Sequence, residues 1–596
     1  MNARAELPDL TRLPGGFLDQ DTATWQRIRR YAVPRWMIER ATAHRLAGDW
    51  RAACAAAAVD IDFDLTDLAA RHGSAVAEAV EDDLRHLAPD LVRWHLPRTL
   101  GGRTTLLSGV RVLFARYGTG AAAPVLSATT GPMADGPQRL RLHCAPVPAA
   151  EHEDLYTFTD GFRVENWIAT RPLWDARHTA ELRERLAGGA DRLPFFHPDG
   201  TPLAAHEVPA ADPGPADPAA HAEWVCLLHD RGEYAEAYAA AGIERNLNVS
   251  MGEYGRPLEP ERTMATRLLD LTRLAAEVHR LLAAGEGERF WVASHWPATL
   301  VVEAAGAGGL RARTIPYREA RGQVPRLPLF AWTRLPDLEL VRNGLITPKE
   351  LHPLVASALF PQAGPAAGPP PGPPEARPVR VRCRGEWHEV RSQGGVLDLL
   401  RHSADEQQRE RAMRAFGGAI SGCFAVQHDW TTGEGRLPRA LQAERRELFL
   451  RAQHGDTPGV TALLDAGTDP RVRDGRGQTL LHALNLLDHE ELLPRLLAAG
   501  LDLEARSNAG QTPLQVAVKN VGSTALVEAL LTAGSRIDVI DDMELSLDQV
   551  IRRYKRTDLA FLRSRVQEEF PGIGSEWFDE WMDEQEEYDN DEDDDA

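Results

Sequence analysis

The stretch "GQTLLHALNLLDHEELLPRLLAAG", Gly477 to Gly500, is followed by "GQTPLQVAVKNVGSTALVEALLTAG", Gly510 to Gly534. Superposition pairs Gly477 with Gly510, Gln478 with Gln511, Thr479 with Thr512 and Leu481 with Leu514, and sets Gly500 against Gly467 and Gly534. The offset is 33 or 34 residues throughout. Each copy predicts two short helices. Thr512 is placed to cap the first, with Pro513 in its first turn. Leu481, Leu496 and Leu497, with Leu514, Leu530 and Leu531, form apolar faces, and Gly500 and Gly534 supply the left-handed residue that ends the second helix. One such unit cannot cover its own apolar face, so flanking units are required. Upstream, "ERRELFLRAQHGDTPGVTALLDAGTDPRVRD" predicts a first repeat. Downstream, "DDMELSLDQVIRRYKRTDLAFLRSRVQEEF" keeps two helical runs and suits a terminal cap.

The period, with "GQTPLQVAV" close to a T-P-L-H-x-A pattern, resembles the ankyrin repeat over about Glu444 to Phe570. The pattern departs from the family at Leu480, where Pro is usual, and at Gln515, where His is usual. His482 matches the family His, which implies hydrogen bonding between loops. The resemblance implies an all-α solenoid that binds another protein through its hairpin tips and inner helices. The tips are Arg471, Arg473, Asp474 and Arg476, then Arg506, Ser507 and Asn508, then Asp541 and Asp542. They run from basic to acidic, and the expected partner is another protein or an intramolecular module.

A chain of 596 residues is too long for one core. No segment has the roughly 20 apolar residues that span a bilayer, and the N-terminus lacks a signal-peptide pattern; the expected address is cytoplasmic, with no membrane partner. The net charge is −21, but the segment from Ser575 to Ala596 carries 13 acidic residues and no basic one, leaving −8 for the rest. That balance excludes a general affinity for nucleic acid. The run predicts a solvated acidic tail, preceded by Trp577, Phe578 and Trp581, read as capping aromatics with a docking segment as the alternative. Arg552, Arg553, Lys555 and Arg556 form the one compact basic cluster, open to the acidic tail or an acidic partner. The five cysteines (Cys54, Cys144, Cys226, Cys383, Cys423) never form CxxC, so neither a disulfide framework nor a structural zinc site is expected, and no cofactor.

The predicted organisation is an α+β module over 20–208, a Pro/Asp-rich linker over 209–220, and a second α+β module over 221–360 that is a degenerate copy of the first. A Pro/Gly-rich linker follows over 361–378, then a small α+β segment over 379–440, the ankyrin repeats over 441–572 and the acidic tail over 573–596. The duplication rests on "LAGDWRAACAAAAV" from Leu46 and "DRGEYAEAYAAAGI" from Asp230, which match at an offset of 184, Gly48 with Gly232. "NGLITPKE" predicts a helix start with Thr347, Pro348 and Glu350 in a capping box.

Two clusters carry candidate chemistry. Asp60, Asp62 and Asp64 alternate in "VDIDFDLT" and would share one face of a strand; a polar-out element explains them better than a metal, and no metal is expected. Cys423, His428 and Asp429 suggest a thiol nucleophile with a base. Five positions apart, Cys423 and His428 face opposite sides of a strand and lie about 140° apart on a helix, so a loop or a His from elsewhere is needed. A buried structural cysteine is the favoured reading. The sequence therefore predicts an interaction or scaffold protein, more readily than an enzyme. The alternative is an enzyme or toxin-like effector with its active site in 20–360 and repeats that select the target.

Overall fold

The computed structural model describes residues 19–583 except 101–105, 148–162, 187, 190–191, 215, 253–254, 256, 267–268, 296–297, 321–322, 372–377, 394–395, 400, 417–419 and 433–434. Two compact units result: 1–131 with 139–371, and 132–138 with 372–596. The acidic run over 584–596 lies outside the described residues.

The first unit holds two sheets. Strands β1 (Val59–Ile61), β2 (Val110–Arg116), β3 (Val125–Thr129), β4 (Leu140–Ala145) and β5 (Arg163–Asn166) take the order β1-β4-β3-β2-β5. Strands β6 (Ile243–Arg245), β7 (Arg289–His295), β8 (Ala298–Ala304) and β9 (Leu310–Pro316) take the order β6-β9-β8-β7. The first strand of each sheet runs parallel to the last of its run, β1 to β4 and β6 to β9, while the central pairs are antiparallel. In both sheets the second strand carries a register shift, at Leu113/Ala115 and at Trp291/Ala293. The helices before β1 and β6 span Trp50–Ala56 and Tyr234–Ala240, each entered through a glycine with positive φ, Gly48 at 78° and Gly232 at 80°. Helix and strand keep one offset, since 234 − 50 and 243 − 59 are both 184. β3 is buried along its whole length, its two hydroxyls included: Ser127 accepts from Arg111, and Thr129 Oγ1 lies 3.0 Å from His143 Nε2.

The core partition differs from the predicted one. Phe330, Leu335, Leu340, Val341, Leu351, Val355 and Leu359 join the core of the first sheet, although the sequence assigns 221–360 to the second module. The helices Pro336–Arg342 and Pro353–Leu359 lay apolar faces on that core, and buried polar pairs fix them: Arg29 with Asp337 at 2.7 Å and His352 with Asp90 at 2.9 Å. The capping box at Thr347 and Glu350 forms, but it starts a 3-10 turn, Pro348–Glu350. The predicted linkers are in part structured. Pro218 to Ala220 form the first turn of the helix Pro218–Asp230, capped by Asp217, and Arg35 donates to the carbonyls of Gly368 and Pro369.

The second unit opens with an antiparallel sheet of β10 (Val379–Cys383), β11 (Glu386–Gln393) and β12 (Val396–Asp398), followed by helices Ala404–Ala415 and Gly422–Thr432. Four helix pairs follow: Arg439–Gln453 with Thr457–Asp465, the 3-10 helix Leu480–Leu486 with His489–Ala498, Pro513–Lys519 with Thr524–Thr532, and Leu547–Arg553 with Ala560–Glu569. Capping boxes start the first helix of the last three pairs, at Thr479/His482, Thr512/Gln515 and Ser546/Gln549. Asp456, Asp488 and Ser523 cap the second helix of the first three. One apolar core runs from Val381 through Leu481, Leu496, Leu514 and Leu530 to Phe578. A last helix over 576–583 closes it: Phe578 is buried, Trp577 stacks on Trp581, and Gln549 donates to the Ser575 carbonyl and the Asp579 carboxylate. Phe578 thus caps the core, whereas Trp577 and Trp581 are 69% and 39% exposed.

In the first unit, Asp337 accepts from Nε and Nη2 of Arg29 and from Nε1 of Trp94, all buried. Asp337→Ala leaves a buried guanidinium uncompensated, which costs about 3–5 kcal/mol. Urea denaturation followed by tryptophan fluorescence should show the midpoint of the full-length chain falling; an unchanged midpoint contradicts this placement.

Candidate functional site

The repeat tips are built by one rule applied three times. One side-chain oxygen in each tip, from Asp474, Ser507 or Asp541, accepts from amides two and four positions on: Arg476 and Gln478, Ala509 and Gln511, Met543 and Leu545. Consecutive tips are joined by backbone bonds, Asn508 N–H to the Arg476 carbonyl at 2.8 Å and Asp542 N–H to the Ala509 carbonyl at 3.2 Å. Two arginines reinforce them. Arg473 donates to the carbonyls of Gly477 and Arg506, and Arg506 to those of Gly510 and Ile540. Gly477 and Gly510 have φ of 70° and 66°, and a Cβ there would stand 2.3 Å and 2.2 Å from the side-chain oxygens of Asn508 and Asp542. Side chains at both positions are excluded by the next tip.

His482 has the role its resemblance implies. Thr479 N–H donates to its Nδ1 at 3.1 Å, and its Nε2 meets the Gln511 carbonyl at 3.1 Å. Burial pushes its imidazole down to about 4. Gln515 substitutes in the next repeat, donating to the carbonyls of Val539 and Leu545.

Of the predicted partner-binding residues, Arg473, Asp474, Arg506, Ser507, Asn508 and Asp541 are engaged in this wiring. Arg471 is 55% exposed and pairs with Asp469, and Arg476 is 53% exposed, 3.9 Å from Asp135 of the same unit. Asp542 is exposed, beside the exposed Met543. The basic cluster is divided too: Arg552 pairs with Asp583 at 2.5 Å, and Arg556 donates to the carbonyls of Val518 and Gly522.

The aspartate series does not share a strand face. β1 ends at Ile61. Asp60 binds Arg139 through both oxygens, Asp62 lies 3.2 Å from His143 Nδ1, and Asp64 caps the helix Leu65–His72. The chain leaves the strand before Asp62, so the three carboxylates take separate partners. Elsewhere in the first unit several charged side chains form ion pairs: Arg171 and Arg177 bind Asp83 and Asp175, Arg185 binds Glu277, Arg334 binds Asp230 and Arg192 binds Glu223.

The candidate trio Cys423, His428 and Asp429 lies on one helix, Gly422–Thr432, so the helical separation applies and His428 does not reach the thiol. Histidines from elsewhere do. Cys383, His388, His402 and Cys423 converge, with one donor atom from each all within 4.8 Å. Cys423 Sγ lies 3.7 Å from His388 Nδ1, Cys383 Sγ 3.6 Å from His402 Nε2, and the two imidazole nitrogens 2.9 Å apart. Burial, then the neighbouring Cys383, pushes the Cys423 thiol up to about 12, and burial followed by His388 lowers His402. Cys423 is fully buried, which opposes attack on an external substrate. The linear spacing of these four residues carries no signature. The signal lies in "VRVRCRGEWHEV", whose alternation and Arg384–Gly385 turn put Cys383 and His388 on one face.

Residues 448–541 match the model for ankyrin repeats in three copies, and the chain carries these repeats. Similar segments occur in human transient receptor potential cation channel subfamily A member 1, 35% identical over 12% of this chain and 6% of that one. Others are the ankyrin repeat-containing protein P1E11.10 of Schizosaccharomyces pombe, 36% identical over 12% and 35%, and ankyrin repeat protein 14 of vaccinia virus, 29% identical over 14% and 36%. The chain therefore spans little more than a third of any of these relatives. No helix among the described residues is long and apolar enough to cross a membrane.

His482 sets a pH dependence. Its folded value near 4 lies below the ordinary 6.5, so the unfolded chain binds the proton first as pH falls. The stabilisation is full above about 6.5 and is lost progressively toward 4, by about 3 kcal/mol at most. Urea midpoints of the second unit should fall from pH 7 to pH 5, and less steeply in His482→Gln; identical slopes contradict the assignment.

Proposed function

We propose that the chain is a protein–protein interaction or scaffold protein whose repeats form one solenoid with a docking surface along the tips. The observation that carries this reading is the division of labour at those tips. Arg473, Arg506, Asp474, Ser507 and Asp541 hold the repeats together, whereas Arg471 and Arg476 expose more than half of their side chains. A strip running from these arginines to Asp542 stands on a backbone that is already fixed, so a partner orders little when it binds. The partner this strip fits is a protein, or an intramolecular module, acidic where it meets the first tip and basic where it meets the third. The ankyrin repeat-containing relatives support a binding role for this segment.

Residues 20–360 serve as two related α+β modules. Their common strand order, the register shift in the second strand of each sheet and the shared offset of 184 support a duplication. The closing helices of the second copy are lent to the core of the first. Five free cysteines fit a reducing, cytoplasmic setting.

The test is affinity capture from the native lysate with the full-length chain. Arg471→Glu with Arg476→Glu should lower recovery of bound proteins by about fivefold or more without changing the melting temperature. Arg473→Glu should instead lower the melting temperature, because two carbonyls lose their donor. Unchanged recovery with the double variant contradicts the docking surface.

A further inference from the structure

We infer that Cys383, His388, His402 and Cys423 form a tetrahedral binding site for one zinc(II) ion at the base of the repeat stack. Four separate pieces of backbone deliver the donors. Cys383 ends β10, and Arg384 and Gly385, with φ of 52° and 91°, turn the chain directly into β11. Cys383 pairs with Glu386 and Val381 with His388, so Cys383 and His388 are diagonal neighbours on the inward face. His402 stands before the helix Ala404–Ala415, whose start is held by Ser403 and Glu406: Glu406 N–H donates to Ser403 Oγ, and Ser403 N–H to Glu406 Oε2. Cys423 lies in the first turn of its helix. Gly422 before it has φ of 61°, and a Cβ there would stand 2.6 Å from Cys383 Sγ. The helix start is thus brought against the hairpin as closely as a glycine permits.

The distances suit the ion. Zinc bonds of about 2.3 Å to sulfur and 2.0–2.1 Å to nitrogen give a tetrahedral sulfur–nitrogen edge of about 3.6 Å. Two of the four such edges are 3.6 Å and 3.7 Å, and all four donor atoms lie within 4.8 Å of one another. The nitrogen–nitrogen separation of 2.9 Å is shorter than the ~3.3 Å of such an edge, a gap that a small imidazole rotation closes. The outer nitrogens face carboxylates, as metal-bound imidazoles do: His402 Nδ1, buried and without a hydrogen bond, lies 3.6 Å from Glu406 Oε2, and His388 Nε2 lies 4.0 Å from Glu386 Oε2.

Charge favours the same reading. Zinc(II) with two thiolates and two neutral imidazoles is neutral overall, so it suits the surroundings of Val381, Val390, Leu397, Phe424 and Trp430. Binding releases the two thiol protons to solvent and forms two Zn–S and two Zn–N bonds, with no change of oxidation state. Mixed sulfur and nitrogen donors in a tetrahedron select zinc over magnesium or calcium. With every position of the tetrahedron filled by protein, the ion is structural. It ties the β10–β12 sheet to the helix that leads into the first repeat.

The full-length chain, purified under reducing conditions, should contain one zinc per chain by elemental analysis. Cys383→Ser and Cys423→Ser should lower this to near zero, while Cys54→Ser and Cys144→Ser, remote buried cysteines, should leave it at one. Cobalt(II) added to the chelator-treated wild type should produce the intense visible bands of a tetrahedral thiolate site, a readout that does not depend on any variant folding. Absence of metal together with failure of the chelator-treated chain to take up zinc or cobalt would overturn the site. So would a Cys383–Cys423 disulfide that persists under reduction, or a full zinc complement in the Cys423→Ser chain.

Discussion

Each helix pair between Arg439 and Glu569 carries more apolar side chain than it can cover alone, and the second unit is organised by that deficit. Leu481, Leu484, Leu492 and Leu496 of one pair meet Leu514, Val518, Leu526 and Leu530 of the next within a single core. Burying one such leucine is worth about 1.5–3 kcal/mol, so no pair is stable without neighbours. The stack then fixes the tips. Because the pairs repeat every 33 or 34 residues, Arg473 and Arg506 reach equivalent carbonyls, and Gly477 and Gly510 meet equivalent oxygens from the following tip. Both ends need closure. Phe578 and the helix over 576–583 supply it on one side, and the sheet with its Cys/His cluster lies at the other.

This wiring separates two roles that a sequence strip merges. Tip arginines look alike in sequence, yet Arg473 donates to two backbone carbonyls whereas the Arg476 side chain is 53% exposed. A neutral hydrogen bond contributes about 1 kcal/mol and one from a charged donor about 1.5–3, so Arg473 and Arg506 belong to the stability of the stack. Surface charges such as Arg471 contribute less to folding and more to the choice of partner.

Features set by local rules were legible in the sequence. The period, the Thr512–Pro513 helix start, the terminal helix pair and the match of Trp50 with Tyr234 each depend on residues close together in the chain. Features set by packing were not. Helices 336–342 and 353–359 join the first core because Asp337 and His352 find Arg29 and Asp90, more than 250 residues away. Asp60, Asp62 and Asp64 alternate like strand residues, but β1 stops at Ile61 and Asp64 turns to capping. Cys383, His388, His402 and Cys423 are related by sheet register and by two helix starts, and no spacing rule expresses that. Even so, the hairpin half of the cluster was open to reading, since the positive-φ turn at Arg384–Gly385 fixes which residues share a face.

The central claim is that the repeats are one cooperative stack joined through their tips. Hydrogen exchange on the full-length chain carrying Arg506→Ala tests it most directly. Arg506 bridges Gly510 and Ile540, so loss of its donors should reduce amide protection in both 477–500 and 541–553 as well as in 510–534, with the first unit unchanged. Loss confined to the few amides around residue 506 would contradict the stack.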